Sequence, residues 1–189
     1  MKPNYKEIAE LVCRLYVFFF LTTYGIGKIV GGQFYTTDRM PDGLNLIPIG
    51  QVSDFDLAWI FMGRSFGYIL FIGLAEIIGA ILLLSNKTKV IGTLILIPIM
   101  VNIIVFDIFF LDEYGALAGA SLYLVMLLTI LYINKEKMHA IFNTLIKYEP
   151  SPKTSLKGTL YKYLIILAII ALIFVADQIV VNYLGYGKG

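Results

Sequence analysis

With one cysteine and one histidine in 189 residues, this chain lacks the side chains that most metal and thiol chemistry needs. A lone Cys13 excludes an intrachain disulfide and a C-x-x-C exchange pair, and its place in a long apolar run assigns it to packing. His139 falls in a lysine-rich amphipathic stretch, so no H-E-x-x-H motif, bis-histidine haem or Ser/His/Asp set can be assembled, and no metal is expected. No glycine-rich phosphate loop follows a strand, which leaves nucleotide chemistry without its motif. Charge is scarce as well, at 15% of residues, and the lysines that cluster border apolar runs. They form no surface suited to nucleic acid.

What the chain has is apolar length. Hydrophobic residues make up 59% of it and the mean hydropathy is +0.82, far beyond what a soluble domain of this size could hide. A span needs about 20 apolar residues, and five such runs are read at 8–31, 60–84, 89–111, 114–133 and 159–184. The runs are continuously apolar instead of alternating, so they are helices and not barrel strands. The first is too long for a secretory leader and lacks a small-residue cleavage site, and it is expected to stay in the mature protein.

The expected fold is an all-α membrane protein, a four-helix transmembrane bundle plus a peripheral fifth transmembrane helix. Short loops between the second, third and fourth spans force antiparallel neighbours. Residues 1–133 form the core, with a long outer loop at 32–58; residues 134–158 form a cytoplasmic amphipathic helix and linker; residues 159–189 form the fifth span and an outer C-terminus. Eleven Lys and Arg residues fall on the N-terminal side of the membrane and four on the other, which places the N-terminus in the cytoplasm and the C-terminus outside.

The loop carries a Pro41-Asp42-Gly43 turn signal, then Leu44, Leu46, Ile47, Pro48 and Ile49, flanked by Phe34, Tyr35, Phe55 and Trp59. Such a segment folds back over the bundle mouth or lies on the membrane interface. Met138, Ile141, Phe142, Leu145 and Ile146 recur at helical spacing, which predicts a surface helix on the anionic leaflet, ended by Pro150 and Pro152.

Five ionisable residues stand inside the apolar runs: Arg14, Lys28, Glu76, Asp107 and Asp177. In hydrocarbon each is unfavourable unless paired or hydrated, so they mark ion pairs or a functional cavity. At about 1.5 Å of rise per residue, Arg14 and Glu76 lie about 9 and 12 Å from the cytoplasmic ends, while Lys28 and Asp107 share the outer level. Arg14–Glu76 and Lys28–Asp107 are the expected pairs, with Tyr24 and Asn102 between them. Pro98 leaves the Leu94 carbonyl without its helical donor and loosens the third span beside Asn102. Gly73, Ala75, Gly79 and Ala80 in the second span, and Gly115, Ala116, Gly119 and Ala120 in the fourth, are expected at close helix contacts.

The segments RLYVFFFLTTYGIGKI, FIGLAEIIGAILLL and IGTLILIPIMVNI resemble the DoxX/DoxD-like family of small bacterial membrane proteins, over residues 8 to 133. The family pattern maps onto Arg14, Gly25, Lys28, Glu76, Gly79 and Ala80. The resemblance implies a four-helix bundle in the bacterial inner membrane, sometimes attached to quinone-linked sulfur or thiol redox systems. The long loop and the fifth span depart from that core. On this reading Arg14, Tyr24, Lys28, Glu76, Asn102 and Asp107 bind a quinone or lipid-like ligand for a redox or envelope process. In the alternative, the charged seam is purely structural and the protein is a non-catalytic assembly factor that docks a membrane partner. A small transporter is the third reading, although the five runs show no inverted repeat.

Overall fold

The computed structural model describes residues 4–111, 114–147 and 156–184. Among them are seven helices: α1 (Tyr5–Ile29), α2 (Asp54–Gly63), α3 (Phe66–Leu84), α4 (Lys89–Phe110), α5 (Tyr114–Ile133), α6 (Lys135–Leu145) and α7 (Leu156–Leu184). Five are long and apolar enough to cross a membrane, namely α1, α3, α4, α5 and α7. The chain is a multi-pass, all-α membrane protein.

Two compact units divide it, residues Met1–Leu145 and Ile146–Gly189. In the first, α1, α3, α4 and α5 pack as a closed ring in which α1 meets α3 and α5, and α4 meets α3 and α5. Val17 and Leu21 of α1, Ala80 and Leu83 of α3, Leu96 and Met100 of α4, and Tyr123, Leu127 and Ile130 of α5 form its core. Cys13 packs against that core as expected. Lipid tails are as apolar as these side chains, so close packing and not water exclusion holds the ring. Glycine supplies the closeness at two seams: a Cβ on Gly25 would sit 2.7 Å from the Gly73 carbonyl oxygen, and one on Gly92 would sit 2.7 Å from that of Gly79.

The second apolar run is two helices and not one, because Arg64 ends α2 and Ser65 starts α3 by accepting a hydrogen bond from the Tyr68 amide at 3.3 Å. Ser53 caps α2 in the same way through the Asp56 amide. Uninterrupted hydropathy from residue 60 onward conceals this back-to-back pair of caps, and residues 54–58, expected as loop, are helical. The other span boundaries fall within three residues of expectation.

Between α1 and α2 the chain makes two short 3-10 turns at Leu44–Leu46 and Ile49–Gln51. Gly43 takes the left-handed φ of +81° that the turn after Pro41 requires, and the Leu44 amide donates to the Pro41 carbonyl. Leu44 is buried, while Leu46 and Ile49 are 81% and 78% exposed, so this stretch both seals inward and presents an apolar outer face. Tyr35 donates its amide to the Trp59 carbonyl at 3.3 Å, and Gly63 lies so close to Tyr35 that a Cβ would overlap its carbonyl. The segment 30–65 is thereby fastened over one end of the ring, called here the loop end.

Amphipathic α6 follows α5 directly and buries none of its residues. Its expected stop at Pro150 and Pro152 lies outside the described residues, as does most of the linker. In the second unit, α7 is one helix of 29 residues that carries the exposed Asp177.

Candidate functional site

Lys28, in the last turn of α1, extends its ammonium to 2.7 Å from both carboxylate oxygens of Glu76 on α3. Both residues are buried. Helical side chains lean toward their own N-terminus, so on antiparallel helices a residue near the end of α1 and one in mid-α3 lean toward each other. The expected Arg14–Glu76 pair fails for the same reason, since those two lean apart. With Arg14 opposite Leu83 and Leu84, Glu76 lies about 12 Å further along α3.

Arg14 instead closes the opposite end of the ring. Its Nε donates to the Leu83 carbonyl at 2.5 Å, Nη2 to the Leu84 carbonyl at 2.6 Å and Nη1 to the Asn86 side chain at 2.7 Å. A guanidinium at a helix C-terminus satisfies carbonyls that have no intrahelical donor and opposes the negative end of the helix dipole. Glu10, one turn earlier, lies 3.7 Å from Arg14 and also pairs with Lys89 at the start of α4. This buried knot joins α1, α3 and α4. Glu10 escapes a reading based on apolar runs because it lies near the end of its run, beside ordinary flanking charges.

Asp107 does not pair with Lys28 either. It is 4% exposed and its Oδ2 has no hydrogen-bond partner. Asp107, Lys28 and Glu76 all face two cavities, of about 330 and 490 Å³, that also share Gln33, Trp59, Ile103 and Leu111. The smaller follows the α1–α5 seam past Leu21, Tyr24, Met100, Gly119 and Tyr123; the larger follows the α3–α4 seam past Tyr68, Ile72, Pro98, Asn102 and Phe106. The two seams lie on opposite sides of the ring. The cavities therefore flank one polar cluster beneath the loop-end cover.

Tyr24 stands in the smaller cavity and Asn102, with Pro98, in the larger, so five of the six candidate residues gather at the loop end and Arg14 stands apart. The small residues divide between two roles. Gly73 and Gly79 of α3 make the close contacts expected of them, whereas a Cβ on Gly115 would meet nothing within 4 Å and one on Gly119 would meet only the Tyr123 hydroxyl, at 3.9 Å. In α5 these positions hold space open instead of bringing helices together. Periodicity gives them the same signature in both cases.

Aromatic residues complete the walls. Trp59 stacks on Phe55 at 4.3 Å between ring centroids and meets Phe34 edge-on at 5.6 Å. Tyr123 lies 6.3 Å from Tyr24 by centroid. Neither Gln33 nor Tyr123 stands out in the sequence; the available signal for Tyr123 is its position four residues after Gly119 on the space-holding face of α5. In the cover, burial and then the neighbouring Asp56 carboxylate hold the Tyr35 hydroxyl above its ordinary range. The set can thus offer hydrogen-bond donors from Gln33, Trp59, Tyr24, Tyr123 and Asn102, a neutralised ion pair and one spare carboxylate. No group of three or more metal-ligating side chains occurs among the described residues.

No family model matches the chain, and no solved structure matches it. It is 36% identical over 129 residues to the uncharacterized protein YwoB of Bacillus subtilis (strain 168), an alignment covering 68% of this chain and 79% of that one. On that identity and coverage, the chain belongs to the same family of proteins as YwoB.

Proposed function

We propose that this protein is a DoxX-like subunit of the bacterial inner membrane that holds a quinone or similar lipid-like ligand at the loop end of its bundle. It would serve a redox or envelope process as an accessory component. One observation carries the reading: a buried cluster of Lys28, Glu76 and Asp107 lies between two apolar-walled cavities of a size suited to small organic ligands. A purely structural ion pair needs neither the cavities nor the third charge. The walls offer what a quinone would use, aromatic faces for its ring and amide, indole and phenol donors for its carbonyl oxygens. The excess of lysine and arginine at the span ends and loops on the N-terminal side of the membrane favours a cytoplasmic N-terminus, with the ligand site on the outer side and α6 along the inner leaflet.

Trp59 makes this testable without a label, because it is the sole tryptophan and borders both cavities. Titrating a short-chain naphthoquinone into detergent-solubilised protein should quench its emission saturably, and Glu76→Gln should weaken that binding while the protein stays folded. Equal binding by both proteins would remove the proposed site, and no binding would remove quinone as its ligand. The assembly-factor alternative would then gain, and a stoichiometric membrane partner recovered in mild detergent would support it.

A further inference from the structure

Charge in the shared wall does not balance. Lys28 is the one cation among the described residues that line either cavity, and both oxygens of Glu76 engage its ammonium. Asp107 is left over, with a buried oxygen that lacks a partner although the residue faces both spaces. Lys28 attracts Asp107 only at a distance, its ammonium being held by Glu76, and a buried carboxylate compensated so weakly is unfavourable until a second cation enters the cavity.

The walls restrict what kind of cation fits. An inorganic ion needs several oxygen ligands; beyond Asp107, Gln33, two tyrosine hydroxyls and the Glu76 that Lys28 engages, the smaller cavity is lined by apolar residues such as Leu21, Met100 and Ile103 and by the rings of Tyr24, Trp59 and Tyr123. Aromatic faces attract organic cations, and quaternary ammonium groups above all. Tyr24 lines the smaller cavity and is 48% exposed, so that cavity opens at the surface of the bundle beside the α1–α5 seam, where a lipid-soluble molecule can enter.

We infer that the ligand of this site is a lipophilic organic cation, with its charge against Asp107 and its apolar body along the aromatic wall between α1 and α5. This rests on the proposal that the cavities are occupied, and it narrows the lipid-like ligand to one bearing an amine or other fixed positive charge. The anchoring residue is Asp107, while the Lys28–Glu76 pair forms a neutral floor.

The test uses two probes of equal shape and opposite charge, tetraphenylphosphonium and tetraphenylborate, read by Trp59 emission on full-length protein in detergent. Partition into micelles is removed by comparing each probe between wild type and Asp107→Asn, and Trp59→Phe shows that the signal comes from the site. The expected result is that Asp107→Asn weakens the cation by about tenfold or more, leaves the anion unchanged or strengthens it, and that Asp107→Glu restores the cation, since an opposed buried charge is worth at least that factor. Equal effects of Asp107→Asn on both probes would overturn the assignment of charge. If naphthoquinone quenches Trp59 while the cation is indifferent to Asp107, the ligand site stands and this inference falls. If quinone, cation and anion all leave Trp59 unchanged, both fall.

Discussion

Lys28 reaches Glu76 across the α1–α3 seam with its ammonium 2.7 Å from each carboxylate oxygen, three residues beyond the point where Gly25 and Gly73 bring the two backbones together. Close helix approach fixes the distance between the charges and burial fixes their strength. Removing one partner strands the other: Lys28→Met should destabilise the protein by about 3–5 kcal/mol. The double variant Lys28→Met/Glu76→Leu should recover most of that loss, because an apolar pair needs no partner. Thermal unfolding of the four-protein cycle in detergent at neutral pH checks this, and additive losses would mean that the two charges do not interact.

The glycines give a sharper contrast. Gly25→Ala must push its methyl against the Gly73 carbonyl and Ile77, an overpacking that destabilises by about 1–3 kcal/mol. Gly115→Ala meets open space, so it should leave stability unchanged or raise it by up to about 1 kcal/mol through better helix propensity. Ligand binding at the cavity that Gly115 lines should weaken in the same variant. Parallel unfolding and Trp59 titration of both variants separate the two roles, and similar losses of stability would return Gly115 to a packing position.

How far such roles can be read from the chain depends on what each one leaves behind in it. Apolar length identifies all five spans, and the scarcity of charge inside them picks out Lys28, Glu76 and Asp107, which do share one site. Partners are another matter. Depth along a helix says nothing of the direction in which a side chain leans, so level alone matches Arg14 to Glu76 and Lys28 to Asp107, although Lys28 and Glu76 lean together. The break at Gly63, Arg64 and Ser65 is written in cap residues and not in hydropathy, which is why a window of apolar content passes over it. Gln33 and Tyr123 reach the site through the loop and the fourth helix of the ring, and no spacing in the chain announces a position that matters only once the ring closes.

Arg14 should prove structural. Its guanidinium serves two carbonyls and Asn86 at once, a fork that a single ammonium cannot reproduce. Arg14→Lys is therefore expected to destabilise the bundle by about 1.5–3 kcal/mol, the range for one hydrogen bond to a charged group. Binding of the quinone or cation probe should be unchanged in that variant at temperatures where it remains folded, because Arg14 lies at the far end from Trp59. A selective loss of binding with stability intact would show that the two ends communicate.

Asp107 separates a residue kept for the fold from one kept for a ligand. A side chain that stabilises its protein leaves a deficit when removed, but a buried carboxylate oxygen with no partner is itself a source of instability. Asp107→Leu, larger but branched at the same carbon, free of polar atoms and bordered by cavities that can take the added volume, should raise the unfolding free energy by about 1–3 kcal/mol in the absence of ligand, since the desolvation of an unpaired polar group disappears. The same variant should lose cation binding, so stability and binding move in opposite directions, as they do where a site is maintained against the preference of the fold. Thermal unfolding with and without tetraphenylphosphonium measures both quantities in one experiment. Wild type should gain stability on adding the cation and the variant should not, whereas destabilisation by Asp107→Leu without ligand would assign Asp107 to the architecture of α4.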